Sequence, residues 1–543
     1  MRLLLQLSEP GGAAPTIGFT VDGDQVNVVD DGSTLLEVLR EGLGRRTPKD
    51  GCSPQGQCGC CTVWVDGQPR IACVTPARRM AGRAVTTLDG LDEDRRRQLA
   101  AAFTATGASQ CGFCTPGIIM RLANLEERKA EVDDGVVATA LLAHLCRCTG
   151  WQTILEAARL ARQGDPGPSH RDLAAAGRRA TLEGGVGQRV GDEVALGAGG
   201  FAEDGAPADA LVAVPDGSGG WVVAESLAQA RARSGKVQGR NSTAAVRHPV
   251  EVPPGPWALT LQTSFVEPAY LEPDASWCLP GGEPASSLAN GGAFGGKRSG
   301  LAAGVARRLA DQHGRAVRVV LAREDVVRMG PKRPPVAAGI DGAGNGVVRV
   351  ARTPGSGPLA GWVAALGSAA PGLRVEEVEV PGPPVSADLR GAGWAEGAVL
   401  TAALGSLREG RGSGDPVGVA DPRGGRASVR LEGDGAVSVT VAAGEVLDEV
   451  VLRSYCIGAV HQALGWVRRE AVAVAEDGEV LDLTIRSYGI LPARAMPAVT
   501  VVVEDGPGPP VAGSDSVFAA TAAAAWLAAG LPARWPLERG GWR

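Results

Sequence analysis

Gly51-Cys52-Ser53-Pro54-Gln55-Gly56-Gln57-Cys58-Gly59-Cys60-Cys61 is the stretch from which the fold can be read outward. With Cys73 it spaces Cys52, Cys58, Cys61 and Cys73 as C-x5-C-x2-C-x11-C. A second set, Cys111, Cys114, Cys146 and Cys148, is spaced C-x2-C-x31-C-x-C. Eight of the chain's 11 cysteines thus form two four-sulfur sets within the first 148 residues. Four thiolates are the ligand count of a 2Fe–2S cluster, and the first spacing is close to the plant-type C-x4-C-x2-C run. Two such clusters near each other make a path for single electrons. A zinc site also takes four cysteines, usually as two C-x2–4-C pairs, which Cys146 and Cys148 suit poorly. A disulfide framework needs an oxidising compartment. The N-terminus, Met1–Pro10, has one basic residue and a very short apolar run, and reads as neither signal peptide nor twin-arginine leader. Nothing approaches the roughly 20 apolar residues of a membrane span. The expected setting is a reducing cytoplasm, with thiols serving as metal ligands.

The flanks of the first set read as a small sheet. Ile17–Val21 and Val26–Val29 alternate apolar and polar residues across Asp22-Gly23-Asp24, the pattern of a hairpin. Ser33 is the expected N-cap of a helix whose apolar face is Leu35, Leu36, Val38 and Leu39. The small residues of the loop should let backbone N–H groups reach the sulfurs. Thr62–Val65 gives another strand. Cys60 is surplus and reads as a packed thiol, as do the isolated Cys278 and Cys456.

Gln110-Cys111-Gly112-Phe113-Cys114-Thr115-Pro116-Gly117 precedes a helical pattern with Ile118, Ile119, Leu122 and Leu125 on one face. Thr115 before Pro116 has the form of an N-cap with proline at the first helical position. A second helix leads through His144 to Cys146-Arg147-Cys148-Thr149-Gly150, and a third covers Thr153–Arg162. With eight cysteines available, His144 reads as a neighbour of the ligands.

At 543 residues the chain should hold several domains of roughly 100–200 residues. Its 44% hydrophobic and 21% charged content is globular, and a net charge of −6 leaves no basic footprint for nucleic acid. Gly supplies 78 residues, about twice the usual share of roughly 7%, so one glycine-rich match says little by itself.

Gln110–Gly117 and Cys146–Gly150 resemble the signatures of the xanthine dehydrogenase/aldehyde oxidase family, the molybdenum hydroxylases. The resemblance implies an α+β multidomain chain. Residues 15–92 would form a β-grasp, ferredoxin-like 2Fe–2S domain and residues 93–165 a four-helix 2Fe–2S domain. Residues 166–240 would be a linker and degenerate segment, and 241–543 a shortened molybdopterin-binding region. It also implies that Gln110 and the backbone around Cys148 approach the pterin, and that the first cluster lies nearer FAD. Within 241–543, Phe265–Pro273 resembles a family run ending in Ala-Tyr-Leu-Glu-Pro. Gly291-Gly292-Ala293-Phe294-Gly295-Gly296-Lys297 resembles the Gly-Gly-x-Phe-Gly-Gly-Lys loop, whose backbone N–H groups can cradle a phosphate or an oxo ligand. Val319–Asp325 resembles the strand after that loop, Leu389-Arg390-Gly391-Ala392-Gly393 a cofactor-contacting loop, and Ile457–Trp466 a late helix. The cofactor contacts carried over are Gln110, Gly292, Ala293, Phe294, Gly295 and Arg390.

The departures concern activity. Ser514, in Val511-Ala512-Gly513-Ser514-Asp515-Ser516, stands where the family carries its catalytic glutamate. A serine holds its own proton too tightly to act as that base. Asp515 is one residue away and is a weak substitute, since its shorter carboxylate on a shifted backbone position misses by ångströms. Ser514 and Asp515 also read as caps of the helix near Phe518. Arg298 reverses the charge that purine-oxidising relatives use to read substrate, which argues against xanthine. No FAD-binding domain lies between the iron–sulfur and molybdenum parts. The expectation is an oxidoreductase subunit that hydroxylates an aldehyde or N-heterocycle with water. Electrons would pass through two 2Fe–2S clusters to FAD on a partner subunit. A second molybdenum subunit would be a further partner, with neither nucleic acid nor membrane involved. The alternatives are an electron-transfer or scaffold subunit whose molybdenum site has degenerated, and a zinc-binding module.

Overall fold

In the computed structural model, the residues described are 15–128, 131–164, 171–235, 244–286, 296–298 and 300–538. Strands β1 (Thr16–Val21) and β2 (Asp24–Val29) form the expected antiparallel hairpin. Asp22 and Gly23 turn it with φ of 54° and 90°, values that suit a short polar residue and glycine. Ile17, Phe19 and Val21 all point inward, the period-two pattern of a half-buried strand. Helix α1 (Leu35–Glu37) begins one residue later than expected. Thr34, not Ser33, caps it, because Glu37 lies three residues on and closes a reciprocal capping box. Strands β3 (Thr62–Val65), β4 (Gln68–Ile71) and β5 (Ala84–Thr86) complete a five-stranded sheet ordered β2-β1-β5-β3-β4.

Four helices follow: α2 (Glu93–Thr106), α3 (Thr115–Arg128), α4 (Asp134–Ala140) and α5 (Gln152–Gln163). Asp92 caps α2, and Gly107 ends it in the left-handed region at φ 69°. α5 buries Ile154, Ala157, Ala158 and Ala161 on one stripe. α3 begins at Thr115 itself rather than after it.

The stretch expected to be a linker and degenerate segment, 166–240, carries helices and strands between its loops where it is described. It forms α6 (Leu173–Gly184), α7 (Asp192–Ala195), β6 (Leu211–Pro215), β7 (Trp221–Ala224) and α8 (Leu227–Ser234). Its Ala/Gly-rich sequence hides this, because small residues carry little periodic signal while packing tightly.

Beyond it come β8 (Leu259–Gln262), β9 (Ala275–Cys278), α9 (Ala302–His313), β10 (Val317–Val320) and α10 (Arg323–Met329). The next elements are β11 (Val336–Ile340), β12 (Gly346–Arg352), α11 (Ala360–Ala369), β13 (Leu373–Glu379) and α12 (Trp394–Arg408). The last are β14 (Val417–Ala420), β15 (Arg426–Leu431), β16 (Val437–Ala442), α13 (Glu449–Arg468), β17 (Val499–Glu504) and α14 (Ser514–Ala528). They build three four-stranded sheets, ordered β7-β6-β10-β9, β13-β12-β11-β8 and β14-β15-β16-β17. α13 and α14 are buried along nearly their whole length. Among the described residues no helix is long and apolar enough to cross a membrane.

Candidate functional site

The cysteine sets form where the sheet domain meets the helical domain. Cys52, Cys58, Cys61 and Cys73 are all buried. The N–H groups of Gln55 and Gln57 donate to Cys52 Sγ at 3.3 and 3.4 Å, and that of Cys73 donates to Cys61 Sγ at 3.4 Å. These are the backbone donors expected of a small-residue loop, and they favour the thiolate over the thiol. The Cys52 thiol touches those of Cys58 and Cys73, and Cys73 also touches Cys61. Gly51 packs closely on the sulfurs: a Cβ there would lie 3.0 Å from Cys58 Sγ and 3.1 Å from Cys60 Sγ.

In the second set, the Cys111 and Cys148 sulfurs lie 3.5 Å apart. Cys114 and Cys146 form the other pair, and the Cys146 thiol is pulled down to about 6, chiefly by its hydrogen bond with Cys114 and then, against burial, by Thr149. Among the described residues no three His, Cys, Asp or Glu side chains surround a single-ion site. The sulfurs of the second set instead pair two by two, the arrangement for a cluster whose two irons each take two thiolates.

The sets are joined back to back. The N–H of Leu145, next to Cys146, donates to Cys58 O at 2.9 Å. A Cβ on Gly117 would sit 2.3 Å from Gly59 O, so α3 begins against the first loop. His144 is wedged between them with Nε2 3.1 Å from Thr62 Oγ1, and burial pushes its pKa down to about 3.

The second motif is clamped by the C-terminal region. Arg147 donates to both oxygens of Glu470, at 2.5 and 2.8 Å, and to Pro268 O at 2.9 Å. Gln110 Nε2 donates to Cys148 O at 3.2 Å and to Ser454 Oγ, on α13, at 3.0 Å. A Cβ on Gly458 would be 1.9 Å from Cys148 O, so α13 lies against the motif backbone.

At the far side, Arg390, Ser514 and Asp515 meet in an arrangement that the sequence does not reveal. Arg390 Nε donates to Asp515 Oδ1 at 2.8 Å, and its Nη2 donates to Ser514 Oγ. Arg423 Nη2 donates to Asp515 Oδ2 at 2.7 Å. Burial alone would raise the Asp515 pKa, but the two arginines outweigh it and hold the carboxyl below its usual range. The expected capping of the last helix is corrected. Neither Ser514 nor Asp515 caps α14; Glu183, from α6, accepts the N–H groups of Gly513 and Ser514 at 3.1 and 2.9 Å, and the Ser514 hydroxyl at 2.6 Å. Anionic oxygens at a helix N-terminus are favoured by its unpaired N–H groups, so Ser514 is left free to bridge to Arg390. A cavity of about 450 Å³ opens here, lined by Glu183, Gly184, Arg298, Arg390, Arg423 and Asp515 among others. Gly292, Ala293, Phe294 and Gly295 lie outside the described residues, as do residues 166–170 and 236–240 of the expected linker and degenerate segment.

For a molybdenum–pterin cofactor the residues give a mixed fit. Ser514, at the position that the resemblance gives to a catalytic glutamate, carries no carboxylate. Between the second set and the cavity, however, the buried side-chain atoms of Gln188 and Tyr455 have no hydrogen-bond partner, which is what a bound polar group would supply.

A family profile described as a 2Fe–2S iron–sulfur cluster binding domain matches residues 19–82, and one described as a 2Fe–2S binding domain matches residues 87–159. The nicotinate dehydrogenase small FeS subunit of Eubacterium barkeri is 36% identical over 148 residues, covering 27% of this chain and 94% of that relative. The chain belongs to the molybdenum hydroxylase family. The nicotine 6-hydroxylase small subunit of Paenarthrobacter nicotinovorans is 40% identical over 142 residues, 26% of this molybdenum hydroxylase chain and 86% of its own length. Both relatives match the iron–sulfur part. Over 96% of this chain and 99% of the other, the fold is that of the aldehyde oxidoreductase from Desulfovibrio gigas, with a TM-score of 0.68 and 15% identity. The α+β multidomain architecture and the pair of 2Fe–2S domains expected from the sequence are therefore present.

Proposed function

We propose that this chain is an oxidoreductase subunit of a cytoplasmic molybdenum hydroxylase complex acting on an aldehyde or N-heterocycle. The substrate C–H is replaced by C–OH with oxygen from water, RH + H2O giving ROH, two protons and two electrons. The electrons leave one at a time through the two 2Fe–2S clusters to FAD on a partner subunit. Cys52, Cys58, Cys61 and Cys73 hold one cluster, and Cys111, Cys114, Cys146 and Cys148 the other. The observation that carries the reading is the joint between the sets: the Cys58 carbonyl accepts from the N–H of Leu145, one residue from Cys146, so a single hydrogen bond links the ligands of one cluster to those of the other. Gln110, beside Cys148, and Arg390, at the cavity, stand at the two ends of the space assigned to the cofactor. Asp515 contributes as the ionised partner of Arg390 and Arg423 and not as the base.

A second reading has its own observation. Ser514 in the glutamate position, tied to Glu183 and Arg390, supports an electron-transfer or scaffold subunit whose molybdenum site has degenerated, with molybdenum carried by a second subunit.

Metal analysis of the complex from its host separates the two. Hydroxylation in this chain requires molybdenum and pterin to stay with it when the subunits are parted. About four irons per chain with all molybdenum on a partner supports the second reading, and loss of both low-temperature paramagnetic signals after dithionite reduction refutes the electron path itself.

A further inference from the structure

Cys60 brings a fifth thiol to the first set, and it does not stand apart from the other four. The thiol of Cys58 touches that of Cys52 on one side and that of Cys60 on the other. With the contacts from Cys52 to Cys73 and from Cys73 to Cys61, the sulfurs run in one unbroken row: Cys61, Cys73, Cys52, Cys58, Cys60. A second observation brings Cys60 to the same spot as Cys58. The Cβ position on Gly51 lies 3.0 Å from Cys58 Sγ and 3.1 Å from Cys60 Sγ, so both sulfurs face that one glycine. Gly59, at φ 76°, turns the chain between them. All five thiols are buried, and Cys60 is 0% exposed.

A 2Fe–2S cluster gives each of its irons two thiolates. Only one division of the row leaves each of the four expected ligands with a touching partner: Cys61 with Cys73, and Cys52 with Cys58. Cys60 adjoins the second of these pairs through Cys58. A cysteine binds metal as its thiolate, so a thiol beside a ligand becomes one itself once it gives up its proton. The Cys60 thiol is also within electrostatic reach of Cys111 and Cys114, which puts it on the side of the first set that faces the second.

We infer that Cys60 is a reserve ligand of the first cluster, which takes the iron of the Cys52–Cys58 pair in place of Cys58. This rests on the proposal that the first set holds a 2Fe–2S cluster. The exchange balances without an electron. The bond from iron to Cys58 Sγ breaks, a bond from iron to Cys60 Sγ forms, and the Cys60 proton passes to Cys58. An iron that loses Cys58 is held instead of lost, and it stays on the side from which electrons reach the second set.

The test uses the native complex, with iron counted beside the paramagnetic signals of the reduced clusters. Cys58→Ala should keep about four irons per chain and both signals, the first with its g-values shifted by the new ligand. Cys58→Ala combined with Cys60→Ala should lose the first signal and fall to about two irons or fewer. A Cys58→Ala protein without the first signal, or a double variant that holds as much iron as the single one, overturns the inference. A further measurement decides the matter if Cys58→Ala does not fold. Wild type and Cys60→Ala are reduced with dithionite and exposed to excess bathophenanthroline, a chelator of ferrous iron, and the first signal is followed in frozen samples. It should decay about tenfold faster in Cys60→Ala, a difference of about 1.4 kcal/mol in barrier. Equal rates overturn the inference. Wild type that shows no first-cluster signal at all overturns the underlying cluster assignment, which keeps the two failures distinct.

Discussion

Replacing Arg147 by methionine tests whether the C-terminal region holds the second cluster in place. Arg147 sits between Cys146 and Cys148, and its guanidinium makes three hydrogen bonds, two to Glu470 and one to Pro268 O. Glu470 also accepts from the Tyr488 hydroxyl at 3.1 Å, and it has no room to turn away, since a Cβ on Gly465 would lie 2.2 Å from its Oε1. Both charges are almost wholly buried. Removing one member of such a pair leaves a buried carboxylate uncompensated and costs about 3–5 kcal/mol, whereas replacing both members by apolar groups of similar volume is often close to neutral. Arg147→Met should therefore lower stability by about 3–5 kcal/mol and broaden the second-cluster signal, while Arg147→Met with Glu470→Met recovers most of the loss. Denaturant titration of the loaded protein, followed by electron paramagnetic resonance of each cluster, measures both quantities. A single variant costing under about 1 kcal/mol, or a double variant no better than the single, would show that the clamp has no such role.

Three further outcomes are expected. Gly458→Ala pushes α13 away from Cys148 O, from a 1.9 Å overlap to an ordinary contact of about 3.3 Å, and should perturb the second cluster signal while leaving the first intact; identical spectra would contradict the packing. Ser514→Glu crowds a second carboxylate beside Glu183 and should destabilise the protein by about 1–3 kcal/mol, with Glu183→Ser restoring it; thermal melts compare the pair. His461, on α13, is buried and its pKa is pushed down to about 4, mainly by burial and then by Arg147. The unfolded chain, with an ordinary imidazole, binds the proton first, so this group's contribution is lost as pH falls from about 6.5 toward about 4; His461→Gln should flatten that part of the stability profile, and an unchanged slope would remove His461 from the account.

The cysteine sets are legible in the sequence because ligand spacing is a local property: Cys52 to Cys73 span one loop and one strand pair. The hairpin and its Asp-Gly turn are legible for the same reason. What escapes is long-range. Glu183 caps a helix that begins 331 residues later, and no spacing within α6 announces it. The first helix cap falls on Thr34 instead of Ser33 because two adjacent hydroxyl residues compete and only one has a glutamate three positions on. Residues 166–240 read as a linker because alanine and glycine dominate them, yet α6 packs on α13 through those small side chains. Arg390 is singled out by the resemblance, but its pairing with Asp515 spans 125 residues and needs the fold to be seen.

The hydrogen bond from Leu145 to Cys58 bears on how the protein is built. The loop that presents one ligand set is stitched to the segment that presents the other, and His144 is trapped between them. Neither half can relax to admit iron without disturbing its neighbour. A change at one ligand set should thus be felt at the other, so that the two sets respond to iron as a pair and not singly.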